Sequence, residues 1–220
     1  MSHAPQNPAL FWDRYKPDRD DLSPAPKAES FEWTQYAGHG PGVELLGTPK
    51  DALELGAAEG REAAFLAGRG VRVTALDLSP VQVARARRWW SGEPNLDFVE
   101  SEACAYLSAT EEFYDAIYSI WGVVWFANPE ELLPLAFERL RPGGIFTFSQ
   151  GETHSDLYGR QPMYGKGPGG REMTVDRWCF PPEMWADLLK REGFVNVDAS
   201  CLPAPRGEGL GTLIVQAVKP

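Results

Sequence analysis

From Asp51 onward, short apolar runs alternate with stretches of helical spacing, the pattern of a parallel sheet joined by crossover helices. Residues 52–55 read as a first strand, 61–67 as a helix closed by Gly68 and Gly70, and 71–76 as a second strand with β-branched Val71, Val73 and Thr74. Ser79 is an N-cap with Pro80 at the first helical position, so a helix is expected over 80–90. Strands follow at 96–99, 116–119 and 145–149, with a helix at 129–140 and a turn at Arg141, Pro142, Gly143 and Gly144. The alternation then stops. Residues 151–177 are rich in Gly, Tyr and polar side chains without a clear period, which predicts a functional loop or lid. A helix at 181–191 and two closing strands at 195–200 and 210–218 complete the chain. Ahead of all this, residues 1–49 carry Pro17, Pro24, Pro26 and Pro41 among acidic and aromatic positions and read as an arm.

Composition narrows the class. With 220 residues, 43% of them hydrophobic and 24% charged, the chain fits one soluble domain. No apolar run approaches the roughly 20 residues of a membrane span, and the first ten residues lack a secretion signal, so a cytoplasmic location is expected. Cys104, Cys179 and Cys201 show no paired or metal-binding spacing and are expected as buried free thiols. The net charge of -10 disfavours a phosphate backbone as partner. Arg85, Arg87 and Arg88 read as a solvated helix face, and Asp20 and Asp21 as solvated charge rather than metal ligands. No metal is expected.

The chemistry sits at the first strand-to-helix turn, Leu53, Glu54, Leu55, Gly56, Ala57, Ala58, Glu59, Gly60. Glycine there lets backbone approach a ligand, and the helix start offers free N–H groups, although a tight turn that binds nothing has the same signature. Asp77 follows Gly56 by 21 residues, at the end of the second strand, where a carboxylate accepts from a ribose diol. A nicotinamide dinucleotide would also use such a pair. Its G-x-G-x-x-G fingerprint is absent, however, since Ala58 stands at the second glycine and Glu59 would face a pyrophosphate. A cationic sulfonium tolerates carboxylates, which favours S-adenosylmethionine.

On these residues the chain resembles the class I S-adenosylmethionine-dependent methyltransferases, particularly small-molecule enzymes of the actinomycete natural-product type. The motifs run in order: Glu54 to Gly60 as the glycine motif, VTALDLS from Val73, VESEA from Val99, YDAIYS from Tyr114 and LRPGG from Leu140. The resemblance implies an α/β, Rossmann-like three-layer sandwich: a seven-stranded, mostly parallel sheet with an antiparallel last strand and helices on both faces. It also implies a methyltransferase domain over 50–220, with the insertion 151–178 serving the acceptor. By the same resemblance, Glu54, Gly56 and Gly60 lie against the methionine moiety, Ala57 is a further cofactor-binding residue of the turn, Asp77 binds the ribose and Leu78 packs on adenine. Glu102 accepts from the adenine amino group, the Ala103 N–H meets the ring, and Ile120 lines the methionine side. S-adenosylhomocysteine is the implied product.

Methyl transfer needs a base only when the acceptor arrives protonated. His154, after the fifth strand, is the candidate, with His39 and Glu152 behind it. A loop histidine that is merely exposed is the plain alternative. Aromatic residues Trp33, Tyr36, Trp121, Tyr158 and Tyr164 are expected in the acceptor pocket, where rings attract cations by about 0.5 to 2 kcal/mol each. Trp12 and Trp125 are expected as ordinary packing, and the arm and the late loop are expected to close over the donor. The function so implied is O- or N-methylation of a secondary metabolite or its precursor. A NAD(P)-dependent reductase and a non-catalytic S-adenosylmethionine-binding protein stay open as alternatives, and the oligomeric state is not indicated.

Overall fold

A computed structural model of the chain describes residues 7–16, 29–153, 158–166, 170 and 172–220. A short helix α1 (Ala9–Trp12) precedes the alternating core: β1 (Asp51–Leu55), α2 (Arg61–Ala67), β2 (Arg72–Asp77), α3 (Pro80–Trp89), β3 (Leu96–Glu100), α4 (Ala103–Ala109) and β4 (Tyr114–Ile120). There follow α5 (Val123–Phe126), α6 (Pro129–Arg139), β5 (Leu140–Gly151), β6 (Gly159–Lys166), β7 (Glu172–Cys179), α7 (Pro182–Arg191), β8 (Val195–Leu202) and β9 (Thr212–Val218). Seven strands form one sheet in the order β3-β2-β1-β4-β5-β9-β8, and β9 runs antiparallel to both of its neighbours. This is the Rossmann-like arrangement expected, with its order reversing between β1 and β4.

Side-chain alternation along the strands divides the core into two layers. Leu53 and Leu55 of β1 and Ile117 of β4 join Leu107, Leu132, Leu133, Trp185 and Leu189 beneath α4, α6 and α7. Ala52, Ala116 and Tyr118 face the other way, into a layer with Phe65, Leu66, Val83 and Ala86 of α2 and α3. Phe31, Trp33 and Leu46 belong to that second layer, so the latter part of the arm acts as core. Thr147 Oγ1 and Gln216 Nε2 both donate to Leu45 O, at 3.1 and 2.6 Å, and tie this segment to the sheet.

Four expectations are corrected. The turn at 141–144 is a bulge within β5: Leu140 pairs with Tyr114 and Ile145 with Ala116, so the intervening residues are looped out around Gly143 at φ 79°. The late segment contains a β-hairpin, β6 paired with β7 from Gly159↔Cys179 to Lys166↔Glu172. Of the cysteines, all free, only Cys179 is buried; Cys104 is half-buried and Cys201 exposed. Arg85 is 2% exposed, whereas Arg87 and Arg88 are solvated. Its guanidinium meets Gln82 Oε1 one turn back at 3.1 Å and, beyond what the helix pattern reveals, the buried Glu59 carboxylate at 3.6 Å.

Gly60, which precedes α2, has φ 70°, and a Cβ there would stand 2.4 Å from the buried Phe98 ring. Gly60→Ala is therefore expected to cost about 2–4 kcal/mol, from left-handed strain plus overpacking, as read by urea denaturation.

Candidate functional site

The loops that leave the carboxyl ends of β1 to β4 line a cavity of about 660 Å³ at the point where the strand order reverses, the place where open α/β sheets bind ligands. Its first wall is the glycine turn. Gly56 has φ 84°, and an added Cβ would lie 3.0 Å from Val123 N, so a side chain has no room between the β1 and β4 loops. The Gly56 and Ala57 N–H groups both donate to Leu76 O, at 2.9 and 2.7 Å, which stitches the turn to the end of β2. Ala58 has φ 45°, the conformation that glycine adopts without strain, and its N–H donates to Asp77 Oδ2 at 2.8 Å. Ser79 N–H donates to the other oxygen at 2.9 Å. Burial raises the Asp77 carboxyl above the ordinary aspartate range, and these two N–H groups oppose the shift.

Leu78, Ser101, Glu102 and Ala103 continue the wall beyond β2 and β3. The Glu102 carboxylate is the N-cap of α4, accepting from Cys104 N at 3.0 Å and Ala105 N at 2.7 Å. It borders the cavity while satisfying the helix start. Ile120 ends β4 and leads to Trp121, which is held at φ 51°. The Trp121 N–H donates to Ser149 O at 2.8 Å and its Nε1 to Trp33 O at 3.1 Å, and these bonds hold the ring against the cavity.

Much of the remaining lining is aromatic. Trp12 meets Phe126 edge-on with ring centroids 4.7 Å apart, and Trp121 meets Trp125 at 5.6 Å. Phe11 and Tyr15 from the arm and Met163, Thr174, Asp176 and Trp178 from the hairpin complete the lining. A Cβ on Gly165 would fall 2.5 Å from the Phe11 ring, so arm and hairpin abut above the cavity. The arm is latched from below. Gln82 Nε2 donates to Trp12 O and Tyr15 O, at 3.1 and 2.8 Å, Ser79 Oγ donates to Asp13 Oδ1 at 2.6 Å, and Lys16 reaches Glu59 at 3.4 Å.

Of the residues singled out from sequence, Gly56, Asp77, Leu78, Glu102, Ala103, Ile120 and Trp121 come together around this cavity. Others stand elsewhere. Glu54 points into the second core layer, because β1 alternation puts it beside Tyr118, whose hydroxyl donates to Glu54 Oε2 at 3.2 Å. Ala57 and Gly60 shape the turn from behind without lining the cavity. Trp33 is fully buried core. Tyr36 donates to Leu210 O at 3.0 Å and His39 Nε2 lies 2.9 Å from Pro203 O, both away from the cavity. Tyr158 and Tyr164 are 48% and 77% exposed. His154 lies outside the described residues. Gln82 and Asp176 carry no motif that marks them, Ala58 reads from sequence only as the missing second glycine of a dinucleotide turn, and Trp12 and Trp125, expected as plain packing, line the cavity. A signal for the hairpin existed: Met173 and Val175 alternate with Glu172, Thr174 and Asp176 behind a Gly-Pro-Gly-Gly run.

Asp77 at the end of β2, a glycine turn too tight for a side chain and no cation among the described lining residues are features that suit an adenosine without phosphates. Comparison with known proteins agrees. The model of the methyltransferase domain family matches residues 53–148. The chain is 30% identical to the 1,6-didemethyltoxoflavin-N1-methyltransferase of Burkholderia thailandensis, solved with 1,6-didemethyltoxoflavin and S-adenosylhomocysteine, at a TM-score of 0.54 over 79% of this chain and 72% of that one. It is 27% identical to a trans-aconitate 2-methyltransferase of Paracidovorax citrulli over 50% of this chain and 42% of the relative. It is also 30% identical to a tRNA 5-carboxymethoxyuridine methyltransferase of Escherichia coli over 48% and 41%. The matched stretch thus spans about two fifths of the length of these two relatives. The chain belongs to the class I S-adenosylmethionine-dependent methyltransferases, whose product from that donor is S-adenosylhomocysteine.

Beneath the turn, burial pushes the Glu62 carboxyl from 4.5 up to about 7 and the Glu54 carboxyl well above its ordinary value. A carboxyl raised on folding takes up a proton, so its stabilisation is complete below about pH 4.5 and is lost as pH rises through the folded value. Thermal melts of the parent are expected to fall between pH 5 and 8. Glu62→Gln is expected to flatten that slope, gaining roughly 2–3 kcal/mol relative to the parent at pH 8.

Proposed function

We propose that the chain transfers the methyl group of S-adenosylmethionine to an oxygen or nitrogen of a small molecule, a secondary metabolite or its precursor. The observation that carries this is one cavity lined both by Asp77 with the glycine turn and by seven aromatic side chains from the arm, the β4–α5 segment and β7. Gly56, Ala58, Asp77, Leu78, Glu102 and Ile120 are the residues that would hold the donor. The donor supplies, when bound, an electrophilic methyl on a sulfonium. The protein's part is then orientation and exclusion of water, which suffices for an in-line displacement when the acceptor is already deprotonated.

Charge supports a small molecule over tRNA. The chain carries a net charge of -10, and among the described lining residues there is no Lys or Arg to meet phosphates. No helix of the described residues is long and apolar enough to cross a membrane, in keeping with a proposed cytoplasmic role. Trp12 and Tyr15, two of the arm residues that line the site, are held through their backbone carbonyls by Gln82, an arrangement suited to a lid over the cavity. The base remains proposed from sequence position alone, with His154 the candidate.

Asp77→Asn keeps the size of the side chain and removes its charge. Calorimetry is expected to show donor affinity reduced by about tenfold or more, and parent-like affinity would refute the assignment. For the base, His154→Ala is expected to lower kcat about 100-fold while leaving the affinity for S-adenosylhomocysteine unchanged; an unaltered kcat would remove His154 from the mechanism.

A further inference from the structure

We infer that the acceptor is a planar aromatic molecule, neutral or cationic, that enters without a carboxylate and is held between the tryptophan walls and the β7 edge. This rests on the methyltransferase reading and adds the chemical class of the acceptor to it. Seven of the described residues lining the cavity are aromatic: three from the arm, three from the β4–α5 segment and one from β7. Trp121 and Trp125, in edge contact with centroids 5.6 Å apart, come from the β4–α5 segment and Trp178 from β7, so the cavity takes tryptophans from two separate parts of the fold. Flat rings match such side chains by offset or edge contact, and burying one removes a large apolar area from water.

Charge sets the second restriction. The described lining includes three carboxylates, Asp77, Glu102 and Asp176, and no Lys, Arg or His. An anionic acceptor would be desolvated beside fixed negative charge with no cation among the described lining residues to offset it, which is unfavourable. Two arginines come near without changing this. Arg160 binds Asp176 Oδ2 at 2.5 Å from the solvent side, where it is 68% exposed, while Asp176 itself lines the cavity. Arg177 rests over Trp125, its guanidinium 5.6 Å from the ring centroid, and does not line the cavity. Asp176 is therefore the group that would accept a hydrogen bond from a ring N–H, an amine or a phenol.

The test is calorimetry on the full chain saturated with S-adenosylhomocysteine, which lacks the sulfonium, so that the field of the protein itself is read. The probes are 2-naphthol, 4-aminoquinoline and trans-aconitate. Both aromatic probes are expected to bind at least about tenfold tighter than trans-aconitate. Asp176→Asn is expected to weaken 4-aminoquinoline about fivefold and 2-naphthol less than about twofold. Trp178→Leu is expected to weaken both by about fivefold or more, with the affinity for S-adenosylhomocysteine retained as proof of folding. The inference is overturned if trans-aconitate binds as tightly as the aromatic probes, if neither aromatic probe binds, or if Trp178→Leu leaves their affinity unmoved. Binding of trans-aconitate that vanishes in Arg177→Met would also overturn it, by locating a carboxylate site at that guanidinium. A chain that fails to bind S-adenosylhomocysteine at all would instead remove the methyltransferase reading on which this one stands.

Discussion

Both oxygens of Asp77 are tied to backbone N–H groups, one from Ala58 in the turn after β1 and one from Ser79 at the start of α3. That pair of bonds connects two strands and the start of a helix at the edge where the sheet order reverses. It orients the carboxylate, opposes the protonation that burial favours, and leaves lone pairs for a ligand. The geometry around it follows. Ala58 must take a left-handed conformation to reach Asp77, Gly56 must stay bare for the β4 loop to approach, and Ser79 caps α3 while its hydroxyl holds Asp13 of the arm.

The rest of the site is assembled from pieces distant in sequence. Gln82 and Arg85, buried one turn apart on α3, present their polar ends to carbonyls of the arm. The hairpin meets the same arm through Phe11 and Gly165. The cavity roof thus rests on a few polar bonds and the ring contacts of Phe11 and Trp12 rather than on a deep core, which suits a segment that must admit and release ligands.

Much of the frame is legible from the chain because strand alternation and helix caps are local signals. Val73, Ala75 and Leu76 mark β2, Ser79 and Pro80 start α3, and the five ordered motifs place Asp77 at the crest. Long-range facts are harder to read. Glu54 looks like a ligand residue in the linear motif, yet a strand places successive side chains on opposite faces, and Glu54 falls on the face of Tyr118. Trp33 sits in a Pro-rich arm, where nothing nearby shows that it replaces a helix over the sheet. Arg85 shares a helix face with solvated arginines in the sequence, and only the folded arm supplies its carbonyl partner. The hairpin strand β6 is hidden by Pro162, Gly159 and Gly165, residues tolerated because its outer edge is unpaired.

The most direct test of this account is a crystal structure of the full chain with S-adenosylhomocysteine. The account predicts the ribose hydroxyls within hydrogen-bonding distance of the Asp77 carboxylate, the adenine against Leu78 and Ala103, and the thioether turned toward Trp121. Density for the ligand at any other edge of the sheet, or a ribose with no contact to Asp77, would contradict it.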